Sequence, residues 1–176
     1  YPVDIIIEAK IEDLSSCEPF QAPIVTLSID LETSISTNRI LCAAVVVDRD
    51  GARVEHTFHG DEIEDILKPI CRLVREQDPD VITGYNIDNF DLPRILERAE
   101  HLVGKGERPE LFGWGRVPIT ENSRRTIPNR GQNRTWSIAG RVPMDAWWQA
   151  RQTLRPERES LSLIHISEPT RRYEIA

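Results

Sequence analysis

Apolar residues recur along this chain in two different periods, and the switches between them mark out its elements. Ile24 to Ile29 is a run too apolar to be exposed, so Ile24–Asp30 is expected to be a buried strand. Ile40–Val47 is a second strand, almost wholly apolar from Ala43 to Val47. Asp48-Arg49-Asp50-Gly51 carries an Asp-Gly hairpin signal, and the alternation over Arg53–Phe58 makes a third strand. The opening is therefore an antiparallel meander. The period then lengthens. Ile63, Ile66, Leu67, Ile70, Leu73 and Val74 lie at helical spacing within Asp61–Gln77, and Pro69 predicts a kink or a later start. Asp78-Pro79-Asp80 stops this helix. Val81–Thr83 is a short buried strand ended by Gly84, and Tyr85–Phe90 is a loop by its Asn and Asp content. A second helix starts near Asp91, with Pro93 in its first turn and Leu92, Ile95, Leu96, Ala99, Leu102 and Val103 as its buried stripe.

Residues 104–134 are rich in Gly, Pro, Arg and Asn, and predict an irregular insertion that is in part a hairpin. Strand character returns over Thr135–Met144, with a bulge or bend at Ala139-Gly140. Asp145 then caps a helix beginning Ala146-Trp147-Trp148. The order βββαβαβα describes an α/β domain, a mixed sheet flanked by helices. Residues 1–23, an apolar patch from Val3 to Ile7 followed by polar sequence to Pro23, are expected to be the end of a preceding element and a linker.

Composition adds limits. A chain of 176 residues suits one domain and buries enough surface for a real core. Hydrophobic and charged contents of 39% and 29% are those of a globular protein, and no apolar run approaches a membrane span. Because the first residue is Tyr1, the chain is expected to begin inside a longer protein. Cys17, Cys42 and Cys71 are too few and too scattered for a disulfide framework, so a reducing, intracellular setting is expected. The net charge of −7 is unevenly spread. Residues 1–100 carry 9 Lys and Arg against 21 Asp and Glu, whereas residues 116–158 carry nine Arg against three acids. Two readings stay open: an acidic metal centre beside an anion-binding surface, or an Arg-rich solvated loop.

The first strand ends in Asp30-Leu31-Glu32. Side chains on a strand alternate, so both carboxylates point one way and Leu31 the other. Hard cations such as Mg²⁺ and Mn²⁺ select such oxygen ligands. Asp91, after the fourth strand, is a third carboxylate that neighbouring strand ends could bring to the same place. Three or four carboxylates around a dry spot would hold two divalent ions about 3.5–4 Å apart, suited to phosphodiester cleavage. The bland readings are a solvent-facing pair at Asp30 and Glu32 and an N-cap at Asp91. His56, His59 and His101 show no ligand spacing, Asp88 suits a solvated loop, and the tryptophans suit packing. Trp136, inside the Arg-rich segment, is the one to test as a base-stacking platform.

At these residues a resemblance enters. Ser28-Ile29-Asp30-Leu31-Glu32-Thr33 resembles the first exonuclease motif of family B DNA polymerases. Asp78 to Pro93, with the core Asn86-Ile87-Asp88-Asn89-Phe90-Asp91, resembles the second, Asn-x-x-x-Phe-Asp. Gly140-Arg141-Val142-Pro143-Met144-Asp145 is similar to the strand-to-helix junction that follows in archaeal and eukaryotic members. The resemblance covers about residues 24–158. It implies a ribonuclease-H-like fold and a 3′→5′ proofreading exonuclease within a DNA-directed DNA polymerase. It implies that Asp30, Glu32 and Asp91 are catalytic metal ligands for two Mg²⁺ or Mn²⁺ ions. It implies too that Asn86 and Phe90 shape the pocket for a single-stranded 3′ primer end. The other partner it implies is the rest of the polymerase chain.

One element of that pattern is missing. The third motif, Tyr-x-x-x-Asp, is absent, because Tyr173 is followed by only three residues. Leu161 to Arg171 resembles the translation of a transposon-type sequencing adapter. The expected division is therefore 1–23 linker, 24–160 exonuclease domain incomplete at its C-terminal end, and 161–176 non-native tail, in which His165 has no role. On this reading the fragment is catalytically weak or dead. Two alternatives remain: a non-catalytic DNA-binding or scaffold module of the same fold, and a free-standing exonuclease.

Overall fold

The computed structural model describes residues 6–107, 109–116, 123–126 and 134–154. The tail expected at 161–176, including His165 and Tyr173, and Arg130, Arg155 and Arg158 lie outside the described residues. Residues 6–24 are exposed and hold a single 3₁₀ turn, Ile11–Asp13, before the first strand.

The meander forms as the alternation dictates. Strand β1 is Val25–Thr33, β2 is Ile40–Arg49 and β3 is Ala52–His59, paired antiparallel in that order. Asp50 (φ 52°) and Gly51 (φ 83°) are both left-handed, the conformation a tight hairpin turn requires, and Gly51 N–H donates to Asp48 Oδ1. β1 runs three residues beyond its expected end, so Asp30 and Glu32 lie within the ladder. It is buried on one face only: Val25, Leu27, Ile29 and Leu31 enter the core, while Thr26, Ser28, Asp30 and Glu32 do not.

Pro69 acts as the sequence suggested. A π-helical stretch, Glu62–Leu67, precedes helix α1, Lys68–Gln77, with Pro69 at its start. Proline has no N–H to donate back to the preceding turn, which widens there instead of continuing as α-helix. Strand β4 (Val81–Gly84) pairs parallel with β1, and helix α2 (Asp91–Glu107) follows, interrupted at Gly104 (φ 79°). A short helix α3, Pro109–Phe112, was not legible in the sequence.

The stretch Thr135–Met144 is corrected from one strand to two. β6 (Arg134–Ser137) pairs antiparallel with β5 (Ser123–Thr126) in a separate two-stranded sheet, which is the hairpin expected in the insertion. β7 (Val142–Asp145) joins the main sheet parallel to β4, and helix α4 (Ala146–Leu154) leaves it. The chain changes sheets at Gly140 (φ 74°), where only glycine adopts the backbone freely. The main sheet has the order β3-β2-β1-β4-β7, mixed and flanked by helices, so the expected α/β class is the one observed. Its core unites the β1 and β2 inner faces with Ile66, Ile70, Val74, Leu92, Ile95 and the aromatic group Phe112, Trp114 and Trp136.

Candidate active site

Three segments meet at the C-terminal end of β1. Asp30 and Glu32 project from the exposed face, with Leu31 between them only 4% exposed. Across the ladder they face the small residues Ala44 and Cys42 of β2. Asp91 opens α2 and is 1% exposed. Its Oδ1 accepts the N–H of Leu31 at 3.1 Å, which fixes it against β1 at the residue that separates Asp30 from Glu32 in the sequence. Its Oδ2 is buried and has no partner among the described residues.

The electrostatics follow from this placement. Burial, then the nearby charge of Asp30, push the Asp91 carboxyl up to about 7; Asp145 adds to the rise, while backbone N–H donors, Leu31 among them, oppose it. A buried acid raised this far between like charges marks a functional-site candidate. An orphaned carboxylate oxygen close enough to Asp30 to feel its charge, with oxygen donors only, fits a hard divalent cation. Glu32 shares the face of Asp30, but no three side chains of the metal-binding types form a closed cluster among the described residues. Like charges repel unless a cation lies between them.

The loop between β4 and α2 places the remaining expected residues. Asn86 is left-handed (φ 59°), and its carbonyl accepts the N–H of Asn89 and of Phe90. Phe90 is 37% exposed, and the Arg94 guanidinium lies 5.9 Å from its ring centre. Gly84 has to be glycine: a Cβ there would stand 2.5 Å from the Ile29 carbonyl oxygen, one residue before Asp30.

Asp145 does more than the cap foreseen for it. Its Oδ1 accepts Trp147 N–H, as an N-cap should, and also Asn86 N–H; its Oδ2 accepts Asp88 N–H. This buried carboxylate therefore joins α4 to the loop that carries Asn86 and leads to Asp91. Its role depends on the parallel register that sets Asp145 beside Gly84, a pairing that local pattern cannot reveal.

Other expectations change. Asp88 is buried at 3% exposure, not solvated. Trp136 is 4% exposed, packs edge-on against Phe112 and donates Nε1–H to the Asp88 carbonyl, so it is core and no stacking platform. Arg116 and Arg141 are not free for an anion: both bond Asp78, Arg116 also bonds Asp80, and Arg141 is buried. His59 and His101 are exposed and His56 is half-buried and stacks on Phe58, the surface or partly buried positions expected of them.

Comparison with known proteins bears on this geometry. The family model for the DNA polymerase family B exonuclease domain matches residues 50–166. DNA polymerase 1 of Pyrococcus abyssi is 34% identical over 102 residues, 57% of this chain and 12% of that protein. The DNA polymerase delta catalytic subunit of Bos taurus is 40% identical over 110 residues, 59% of this chain and 9% of that one. The chain thus spans about a tenth of the length of these relatives. The solved structure of the family B DNA polymerase from the archaeon Pyrobaculum calidifontis shares the fold. Its TM-score is 0.55 at 24% identity, over 87% of this chain and 19% of that one.

Proposed function

The chain belongs to the exonuclease-domain family of family B DNA polymerases, and from that premise we propose that its carboxylate site hydrolyses the terminal phosphodiester bond of a single-stranded 3′ DNA end. The parent protein on this reading is a DNA-directed DNA polymerase that proofreads, and residues 24–160 carry the nuclease domain. Residues 1–23 would be the end of a preceding region and a linker. The remainder of the polymerase and the frayed primer end are its partners. Among the described residues no helix is long and apolar enough to cross a membrane.

The observation that carries the reading is Asp91: a buried carboxyl with one orphaned oxygen, bonded to β1 between Asp30 and Glu32. Asp30, Glu32 and Asp91 would hold two Mg²⁺ or Mn²⁺ ions. Such ions lower the pKa of a bound water and offset the charge that develops on the phosphate. The chain's own residues do the rest. The half-exposed face of Phe90 offers a stacking surface for a terminal base. Asp145 holds the backbone at Asn86 and Asp88, so the loop does not have to order itself when the strand enters.

A 5′-labelled single-stranded oligonucleotide with Mg²⁺ or Mn²⁺ tests the function. Stepwise shortening from the 3′ end, slow in a chain without Tyr-x-x-x-Asp and abolished by Asp30→Ala, is the expected result. Shortening that survives Asp30→Ala would sink the assignment. The second reading, a non-catalytic DNA-binding module, draws on the open arrangement of the three carboxylates. It predicts strand binding with no divalent-metal binding.

A further inference from the structure

Two arginines lie on the first turns of α2, and they are used differently. Arg98 is saturated. Its Nε and Nη2 grip both oxygens of the buried Glu62 at 2.7 and 2.6 Å, a paired geometry that uses up its charge. Arg94, one turn beyond Asp91, is not. Its side chain is 18% exposed, and its ion pair is a single 2.8 Å contact from Nη1 to the exposed Glu97. Its Nε is buried without an acceptor among the described residues. A buried N–H left unmade is costly and calls for an explanation. The guanidinium also stands 5.9 Å from the ring centre of the half-exposed Phe90, within cation–π range.

We propose that Arg94 is a phosphate-binding residue of this site, its partly exposed guanidinium meeting a phosphodiester oxygen of the single strand whose terminal base stacks on Phe90. The inference rests on the reading of the site as one for a single-stranded 3′ end. Arg94 and Phe90 together form one platform, a donor for the backbone beside a face for a base. Both flank Asp91 on the same helix start, so the strand would be held where the carboxylates can reach its last phosphodiester bond.

Salt dependence separates a phosphate contact from a merely structural arginine. The assay is anisotropy of a labelled oligo-dT with the 176-residue chain in EDTA, where no hydrolysis occurs, over a series of KCl concentrations. Arg94→Gln should flatten the slope of log affinity against log salt by about 0.7, the loss of one single-strand phosphate contact. Arg94→Lys, which keeps the charge, should restore the slope. Phe90→Ala should weaken binding by roughly 5- to 150-fold with the slope unchanged, since it removes stacking and no charge. In the wild-type chain, which needs no substitution to fold, phenylglyoxal labelling of Arg94 should fall when the oligonucleotide is bound. A wild-type slope in Arg94→Gln, or labelling that the oligonucleotide leaves unchanged, overturns the role of Arg94 alone. A wild-type chain that binds no single strand overturns the reading of the site as well.

Discussion

Asp91 is where the residue-scale chemistry concentrates. Its carboxyl is pushed up to about 7 by burial and by Asp30, whereas in the unfolded chain it titrates near 3.8. The folded state therefore binds this proton more tightly. Its stabilising effect is complete below about pH 4 and is lost as pH rises to about 7. Without metal, then, urea unfolding should show stability falling over that window. Asp91→Asn should flatten the fall and stabilise the metal-free chain at pH 8, by on the order of 2 kcal/mol. Mn²⁺ should reverse the order, stabilising the wild type and not the variant, because a ligand must shed its proton to bind. A steeper loss of stability in Asp91→Asn than in wild type between pH 4 and 7 would contradict this account. The alternation at Asp30-Leu31-Glu32 made two of these carboxylates legible in the sequence, and the helix start at Asp91 made the third. The orphaned oxygen and the raised carboxyl were not legible. They arise from the close approach of α2 to the Leu31 amide across sixty residues of sequence.

At the scale of elements, the site depends on how tightly β4 and α2 are seated against β1 and β2. Gly84→Ala would drive a Cβ into the Ile29 carbonyl, a backbone atom that cannot turn aside. A loss of about 1–3 kcal/mol is expected in chemical denaturation, as for other overpacked positions. Glu62 is 4% exposed, accepts the Ile40 N–H and is held by Arg98, so it ties the start of β2 to the π-helical stretch and to α2. Burial works against its ionised form, but Arg98 and the Ile40 amide hold its carboxyl below the usual range. Arg98→Ala would strand that charge and should cost about 3 kcal/mol at neutral pH. Acid should narrow the gap between variant and wild type, because protonated Glu62 no longer needs its partner. The strands, the Asp-Gly hairpin and the break at Pro69 were legible because local residues decide them. The bend at Ala139-Gly140 was legible too, but the division of Thr135–Met144 between two sheets was not, because the pairing partners β5 and β4 are set by contacts distant in sequence.

Across the whole molecule, the segregation of charge takes on a more exact meaning. The acidic half supplies the carboxylates at the end of β1. Part of the arginine-rich half turns inward: Arg116 and Arg141 clamp the Asp78-Pro79-Asp80 corner, where α1 gives way to β4. Arg141 also donates to the carbonyls of Trp114, Pro79 and Val74, so its guanidinium is a structural bolt. Net charge alone could not separate these arginines from DNA contacts, because the separating fact is their pairing with Asp78 and Asp80. Arg94, counted in the acidic half, stands instead beside the half-exposed Phe90 at the start of α2.

Asp30, Glu32 and Asp91 are proposed as a divalent-cation site. Calorimetric titration of Mn²⁺ into the 176-residue chain at pH 8, where Asp91 is ionised, tests it most directly. Saturable binding at millimolar metal or below, lost in Asp30→Ala and in Asp91→Asn, is the expected result. Undiminished Mn²⁺ binding in both variants, or none in the wild type, would contradict it.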